Sequence, residues 1–303
     1  SATSISIHGS GCPDMAGVAV SIPNAPSRPS KPQRMLGSFR QSNPSVRAGL
    51  AILAAWLVLV LLAPVLRPQG PNHVFEGSRL LAPSGQFPFG TDERGRDMLA
   101  RVLDAFRYDM LLSLSAILIA IVGGLVVGAV AANSAGWIDN ALMRLMDVLF
   151  AFPSFVLALV LAGALGSSMW NLVIAIGVVF LPLYARLVRG SMLAEKERQY
   201  VEAAQGMGVS QRRLIWTHLL PNSIGPVITQ SAMTVSWAIM TIAGISYLGF
   251  GIQPPTPEWG LMISEGAAYM TSGEWWVSFF PGIAILSIVA ALMLIDDGLK
   301  ADQ

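Results

Sequence analysis

The chain has 303 residues, of which 53% are hydrophobic and only 12% charged, and its mean hydropathy is +0.59. Soluble domains carry about 25% charged residues, so this composition points to a membrane protein, and a net charge of +1 gives no sign of a nucleic-acid partner. The single cysteine, Cys12, excludes an internal disulfide and a cysteine-based zinc cluster, and the three histidines (His8, His73, His218) are too scattered to suggest a metal site.

In chain order, residues 1–47 are rich in Ser, Pro and Gly and hold no apolar run of signal-peptide length, so a disordered cytoplasmic tail is expected. A start at Ser1 rather than Met fits processing or a shortened beginning. The remaining 48–303 reads as one transmembrane domain. A helix needs roughly 20 apolar residues to cross the hydrocarbon core. The segments that qualify are Ala48–Leu66, Met110–Ala132, Val148–Leu165, Trp170–Leu183 (extended by Tyr184, Ala185, Leu187 and Val188), Ile224–Phe250 and Val277–Ile295. Their runs are continuous rather than alternating, and each span must satisfy its own backbone, so helices are expected and a β-barrel is not. The fold class is therefore an all-α integral membrane protein with six transmembrane helices.

Basic residues set the sides. With a cytoplasmic N-terminus, 13 of the 19 Lys and Arg fall inside and six fall outside, on Arg67, Arg79, Arg94, Arg96, Arg101 and Arg107. Both termini and the segment 190–221 are then cytoplasmic, and 67–107 and 252–276 are external. The second external segment carries Trp259, Trp275 and Trp276, which suit a membrane interface.

The segment 190–221 is polar and helix-prone between long apolar runs. Leu193, Tyr200, Ala204 and Met207 recur at helical spacing, while Glu195, Lys196, Arg198, Gln199, Glu202 and Gln205 fill most of the rest. Gly206 and Gly208 end a helix, Ser210 is placed to cap a second one over Gln211–Leu220, and Pro221 stops it. Helix, glycine turn, helix offers either a docking surface for a soluble partner or a helix lying on the membrane.

Glu202-Ala203-Ala204, with Gly208 four residues after Ala204 and Leu220-Pro221 beyond, resembles the EAA loop of ATP-binding-cassette importer permeases. His218-Leu219-Leu220-Pro221-Asn222 resembles the dipeptide/oligopeptide/nickel branch, where His often replaces the usual Ile. Further segments agree in order, from Phe89-Gly90-Thr91-Asp92-Glu93-Arg94-Gly95-Arg96-Asp97 through Met143-Arg144-Leu145-Met146-Asp147 and Tyr247-Leu248-Gly249-Phe250-Gly251 to Asp297-Gly298-Leu299. The likeness covers about residues 45–300 and is nearest to the second permease of the pair; the family usually continues with a longer Asp-Pro tail where this chain ends at Gln303.

The resemblance implies the type I importer permease architecture, with a coupling helix in which Glu202, Ala203, Ala204 and Gly208 contact a cytoplasmic ATPase. It also implies a second, homologous permease subunit, two ATP-binding-cassette ATPases, an extracytoplasmic substrate-binding protein and residence in the bacterial cytoplasmic membrane. No phosphate-binding Gly-x4-Gly-Lys-Ser/Thr loop occurs in the chain, so ATP and Mg are expected on the partners and no cofactor here. Dipeptides or oligopeptides are the expected solutes, with nickel or a metal chelate as the alternative.

The span Ile224–Phe250 and its approach are the most polar. Ser223, Gln230, Thr234 and Thr241 share one face with Trp237, which suits either a translocation path or hydroxyls bonded back to their own helix. Arg144 and Asp147, three apart, are expected to pair, and Thr91-Asp92 with Arg96-Asp97 to form an external capped helix start that serves either as a structural turn or as contact with a delivery protein. An ion-coupled secondary transporter or an intramembrane enzyme would need acids, histidines or a nucleophile–base pair inside the spans, and the segments as drawn contain no Asp, Glu or His.

Overall fold

The computed structural model describes residues 44–134 and 136–301; the expected tail falls almost wholly outside the described residues. Helix α1, Pro44–Leu66, begins four residues ahead of the expected Ala48, with Pro44 at its first position, where its missing N–H costs nothing. Helix α2, Met98–Asn133, starts well inside the segment assigned to the external loop. Its N-cap is Asp97, which accepts from the backbone N–H of Leu99 at 2.8 Å and of Ala100 at 3.3 Å. The turn before it is tied by Asp92, whose Oδ1 accepts from the N–H of Arg94 and Arg96, both at 2.9 Å.

The third expected span is corrected by the structure. Instead of one helix over Val148–Leu165 there are two, α3 (Trp137–Ala151) and α4 (Ser154–Leu165), bent by 94°. Pro153 explains the break. It has no N–H to continue α3, and it drives Phe152 into an extended conformation (φ −84°, ψ 140°). Helix α5, Met169–Lys196, carries the fourth span on past Leu183 and keeps Pro182 within it. After the short α6 (Gln199–Gly206) comes α7 (Gln211–Leu214), then a π turn over Ile215–Leu219, then α8 (Leu220–Tyr247) without a gap. Pro221 therefore does not stop a helix. Leu220 donates to the carbonyl of Ile215, five residues back, and the widened turn takes in the proline. A short helix α9 (Trp259–Ala267), a 3-10 turn (Met270–Ser272) and α10 (Trp276–Ala301) complete the described chain.

Five of these helices (α1, α2, α5, the α7–α8 rod and α10) are long and apolar enough to cross a membrane, and α3 with α4 makes a sixth only as a bent pair. Large apolar side chains stay exposed along them, such as Leu57, Leu61 and Val65 on α1 and Leu114, Leu118 and Val122 on α2. Lipid tails match such a surface, and the backbone is satisfied within each helix.

Small residues set the closest crossings. A Cβ on Gly128 of α2 would sit 2.6 Å from the Ala185 carbonyl of α5, and one on Gly124 would sit 2.9 Å from the Ala185 nitrogen. Glycines four apart let the two backbones touch, as membrane helices require when dispersion supplies the attraction. Helix α1 packs on α10, where Trp56 donates to Ser287 Oγ at 2.9 Å. Helix α9 is pressed into the end of the bundle opposite the Glu202 loop, against α8 and α10. Trp259 is wholly buried and its indole N–H donates to the Val102 carbonyl at 3.1 Å; Trp276 is buried too and donates to the Thr91 carbonyl at 3.2 Å. Of the three expected interface tryptophans, only Trp275 is exposed, because the other two find partners for their N–H inside the protein.

Candidate functional site

The loop around Glu202 has one face fixed and one face free. Val201 and Ala204 of α6 are buried in the same apolar cluster as Leu214 and Leu219. Glu202, Ala203, Gln205, Met207 and Gly208 are exposed or partly so, with only the backs of the helix covered. The expected stripe is buried only in part: Ala204 is buried and Leu193 packs against the core, but Tyr200 is 37% and Met207 78% exposed. The helix breaks at Glu197 and Arg198, so Leu193 on α5 and Met207 beyond α6 lie in different helical phases. Of the four residues assigned to partner contact, Glu202, Ala203 and Gly208 face outward, and Ala204 anchors the helix from behind.

The turn is built by backbone geometry. Gly208 has φ +78°, and nothing lies within 4 Å of where its Cβ would be. The N–H of Val209 donates to the Ala204 carbonyl at 3.1 Å and that of Gly208 to the Gln205 carbonyl at 2.9 Å, which closes α6 with a left-handed residue. Ser210 stands at the N-cap position of α7 but makes no side-chain cap bond. Tyr200 ties the loop to both flanking rods. Its hydroxyl donates to Glu195 Oε2 at 2.8 Å and accepts from Asn222 Nδ2 at 3.2 Å, and His218 lies against its ring at 6.2 Å. Burial pushes the Tyr200 hydroxyl above its usual range, against the lowering effect of the Asn222 bond and with the Glu195 carboxylate adding to the rise.

A second feature is a cavity of about 310 Å³ between the bent pair, α5 and α8. Leu149, Phe150, Phe152, Val179, Phe180 and Leu183 supply its apolar wall, and Gln230, Thr234 and Trp237 supply part of its polar lining. Ser223 and Thr241, expected on the same face, are buried away from it. The hydroxyls of Ser223, Thr234 and Thr241 donate to their own helix, at Leu219 (2.8 Å), Gln230 (2.8 Å) and Trp237 (2.7 Å). Of the residues expected on this face, Gln230 and Trp237 line the groove with side chains not bonded to their own backbone, and Ser154 of α4 joins them there.

The expected Arg144–Asp147 pair is replaced by one between helices. Asp147 accepts from Arg186 Nη2 of α5 at 2.8 Å, and the same guanidinium sits 4.3 Å above the Phe150 ring. Asp139 of α3 takes a two-pronged bond from Arg189 of α5, at 2.7 and 2.6 Å. Local spacing favoured Arg144, but the bend turns α3 along α5 and offers Asp147 a better-placed cation. The phenylalanines that line the groove carry no signal in hydropathy beyond being apolar; the run Leu149-Phe150-Ala151-Phe152-Pro153 was the available clue.

Comparison with known proteins accords with this arrangement. Residues 124–301 match the family described as the inner membrane component of binding-protein-dependent transport systems. The chain is 38% identical over 274 residues to a di/tripeptide transport system permease protein of Pseudomonas aeruginosa, covering 88% of this chain and 90% of that one. It is 36% identical to a probable D,D-dipeptide transport system permease protein of Escherichia coli (90% and 93% covered) and 35% identical to a glutathione transport system permease protein of Pectobacterium atrosepticum (86% and 87% covered). In fold it is similar to a chain of the inward-facing MetNI methionine ABC transporter, with a TM-score of 0.55 at 14% identity over 68% of this chain and 98% of that one. With the helical bundle, the bent third span and the free-faced loop in place, the chain belongs to the inner-membrane permease components of binding-protein-dependent transport systems.

Proposed function

We propose that this chain is the permease subunit of an ATP-driven importer of short peptides, lining half of the pathway and taking its motion from cytoplasmic ATPase subunits through the Glu202 loop. The carrying observation is the two-sided loop: Val201 and Ala204 bind it to the bundle while Glu202, Ala203 and Gly208 stay outward on a structured turn. A soluble partner gripping that face moves the α7–α8 rod as a body, and rigid-body motion switches access from one side to the other. The peptide and glutathione transport named for the curated relatives supports short peptides as the solute class. In the groove, Gln230, Thr234 and Trp237 beside Phe150 and Phe180 give a neutral, weakly polar wall, which suits passage of varied side chains without tight binding. A second, homologous permease completes the pathway, an extracytoplasmic binding protein delivers the solute, and ATP with Mg is bound by the ATPases. Both termini and the Glu202 loop face the cytoplasm.

The test is uptake of a labelled dipeptide into proteoliposomes holding the full chain with its neighbouring-gene permease, ATPases and binding protein. ATP-dependent uptake is expected, and Glu202→Lys is expected to abolish it while the ATPases still hydrolyse ATP. Normal coupling in Glu202→Lys overturns the docking assignment, and uptake without ATPase subunits overturns the importer reading.

A further inference from the structure

Two carboxyl groups are buried against each other at the outer end of the bundle, with no cation between them. Asp109 of α2 and Glu258, the N-cap of α9, are both 0% exposed and face one another: Asp109 accepts from the N–H of Trp259, the residue that follows Glu258, at 3.3 Å. The surrounding charges are engaged elsewhere. On α2, Arg101 faces Asp92 and Glu265, and Arg107 faces Asp104. From the external segment, Arg96 also faces Asp92 and Glu265, and Arg67 faces Asp97. Helix α1 has no charge between Arg47 and Arg67 and presents Trp56 to Trp259. Helix α9 adds only Glu265, already held, and α8 adds no charge there, only the buried hydroxyl of Ser246. The charges of α5 (Arg186, Arg189, Glu195, Lys196) and of α10 (Asp296, Asp297, Lys300) cluster toward their C-terminal ends, away from the pair.

Two carboxylates in contact inside a protein cannot both be ionised, so one proton lies between them. The hydrogen bonds say which oxygen carries it. Both oxygens of Glu258 already accept, Oε1 from the Gly260 N–H at 2.9 Å and Oε2 from the Leu261 N–H at 2.7 Å, which is how a carboxylate caps a helix. Asp109 Oδ2 accepts from the Trp259 N–H at 3.3 Å, but Asp109 Oδ1 is buried and has no donor. Protonated, Oδ1 becomes a donor to Glu258, and the unsatisfied atom is accounted for.

We propose that Asp109 and Glu258 form a one-proton binding site, and that this proton fastens α9 to α2 at the external end of the permease. Losing it places a second negative charge in the site and pushes α9 away. Burial shifts the Glu258 carboxyl upward, against the pull of its two backbone donors. A value raised in the folded state means that the fastening is complete below the ordinary carboxyl range and fails as pH rises through the raised value. Helix α9 also rests on α8, where Gly260 contacts the Ala243 backbone. Loosening α9 therefore loosens the outer end of the helix that carries Gln230, Thr234 and Trp237. Asp109 acts as a positioning residue, through Glu258 and α9, and touches no solute.

Infrared spectroscopy of the purified full-length chain in its assembled transporter tests this directly, without any solute. The expected result at neutral pH is a carbonyl stretch of a protonated carboxylic acid in the wild type that Asp109→Asn removes; no such band overturns the proposal. The Asp109→Asn variant keeps a neutral donor to Glu258, so the fall in melting temperature expected of the wild type on the alkaline side is expected to flatten in the variant. Identical alkaline limbs in the two proteins overturn the proposal. Should the variant fail to assemble, titration of the wild type alone decides: the band and the melting temperature are expected to fall together with rising pH, and a melting temperature flat across the alkaline range refutes it.

Discussion

Gly208 can be asked whether it serves the turn or the partner. Its φ of +78° lies in the left-handed region, while the space around its missing Cβ is open. Replacement by Ala therefore meets no clash within the chain, and its whole cost is conformational, about 1–2 kcal/mol for an L-residue in this region. That lowers the population holding the α6–α7 turn about 5- to 30-fold against alternatives. Asn adopts the left-handed conformation far more readily and replaces Gly at helix ends, so Gly208→Asn is expected to recover most of the loss although its side chain is larger. The assay is peptide imported per ATP hydrolysed in reconstituted vesicles. Gly208→Ala is expected to reduce this ratio severalfold and Gly208→Asn to stay near wild type. Asn as damaging as Ala refutes the reasoning, because it means that bulk against the partner, not backbone strain, is what Gly208 avoids. Normal coupling in Gly208→Ala refutes it from the other side.

Once Cys12 is replaced, cysteines introduced at 230 and 237 are expected to react with a water-soluble thiol reagent, while those at 223 and 241 are protected; labelling of all four alike contradicts the groove geometry. Gly128→Leu is expected to cost at least the upper end of about 1–3 kcal/mol, because its side chain must displace the Ala185 backbone, and a melting temperature equal to wild type in detergent contradicts the close crossing. A double-mutant cycle on Arg186 and Asp147 is expected to give a coupling of about 0.2–1 kcal/mol, since both side chains are well exposed, whereas the same cycle on Arg144 and Asp147 is expected to give none.

Hydropathy located the spans because it measures the transfer of apolar side chains, which position in the fold does not alter. It did not register the 94° bend, since an average over a span passes over the single Pro153 and direction is a backbone property. The helix–glycine–helix loop was legible because Gly208 and the α6 boundary are local. The buried face was not, because the break at Glu197 resets the helical phase. Pro221 misled for a related reason: a proline ends a regular α-helix, but a π turn just before it provides another geometry. Asp109 lay one residue outside the expected second span and so looked like an ordinary interfacial acid. Only the docking of α9 makes it a buried one. Arg186 is far from Asp147 in sequence, and no spacing rule could have preferred it to Arg144.

From Gln211 to Tyr247 the chain runs 37 residues as one rod, about 55 Å at 1.5 Å per residue. One end belongs to the exposed loop, the middle faces the groove, and the far end abuts the proton-holding seat of α9. The rod is in effect an axle shared by three stations. A tilt at the loop end needs no relay of side chains to reach the others, and a clamp at the far end resists torque applied at the loop. The wide turn at Ile215–Leu219 interrupts the regular α-helical geometry of that axle between the loop and the groove, which is where a rod of this kind bends first.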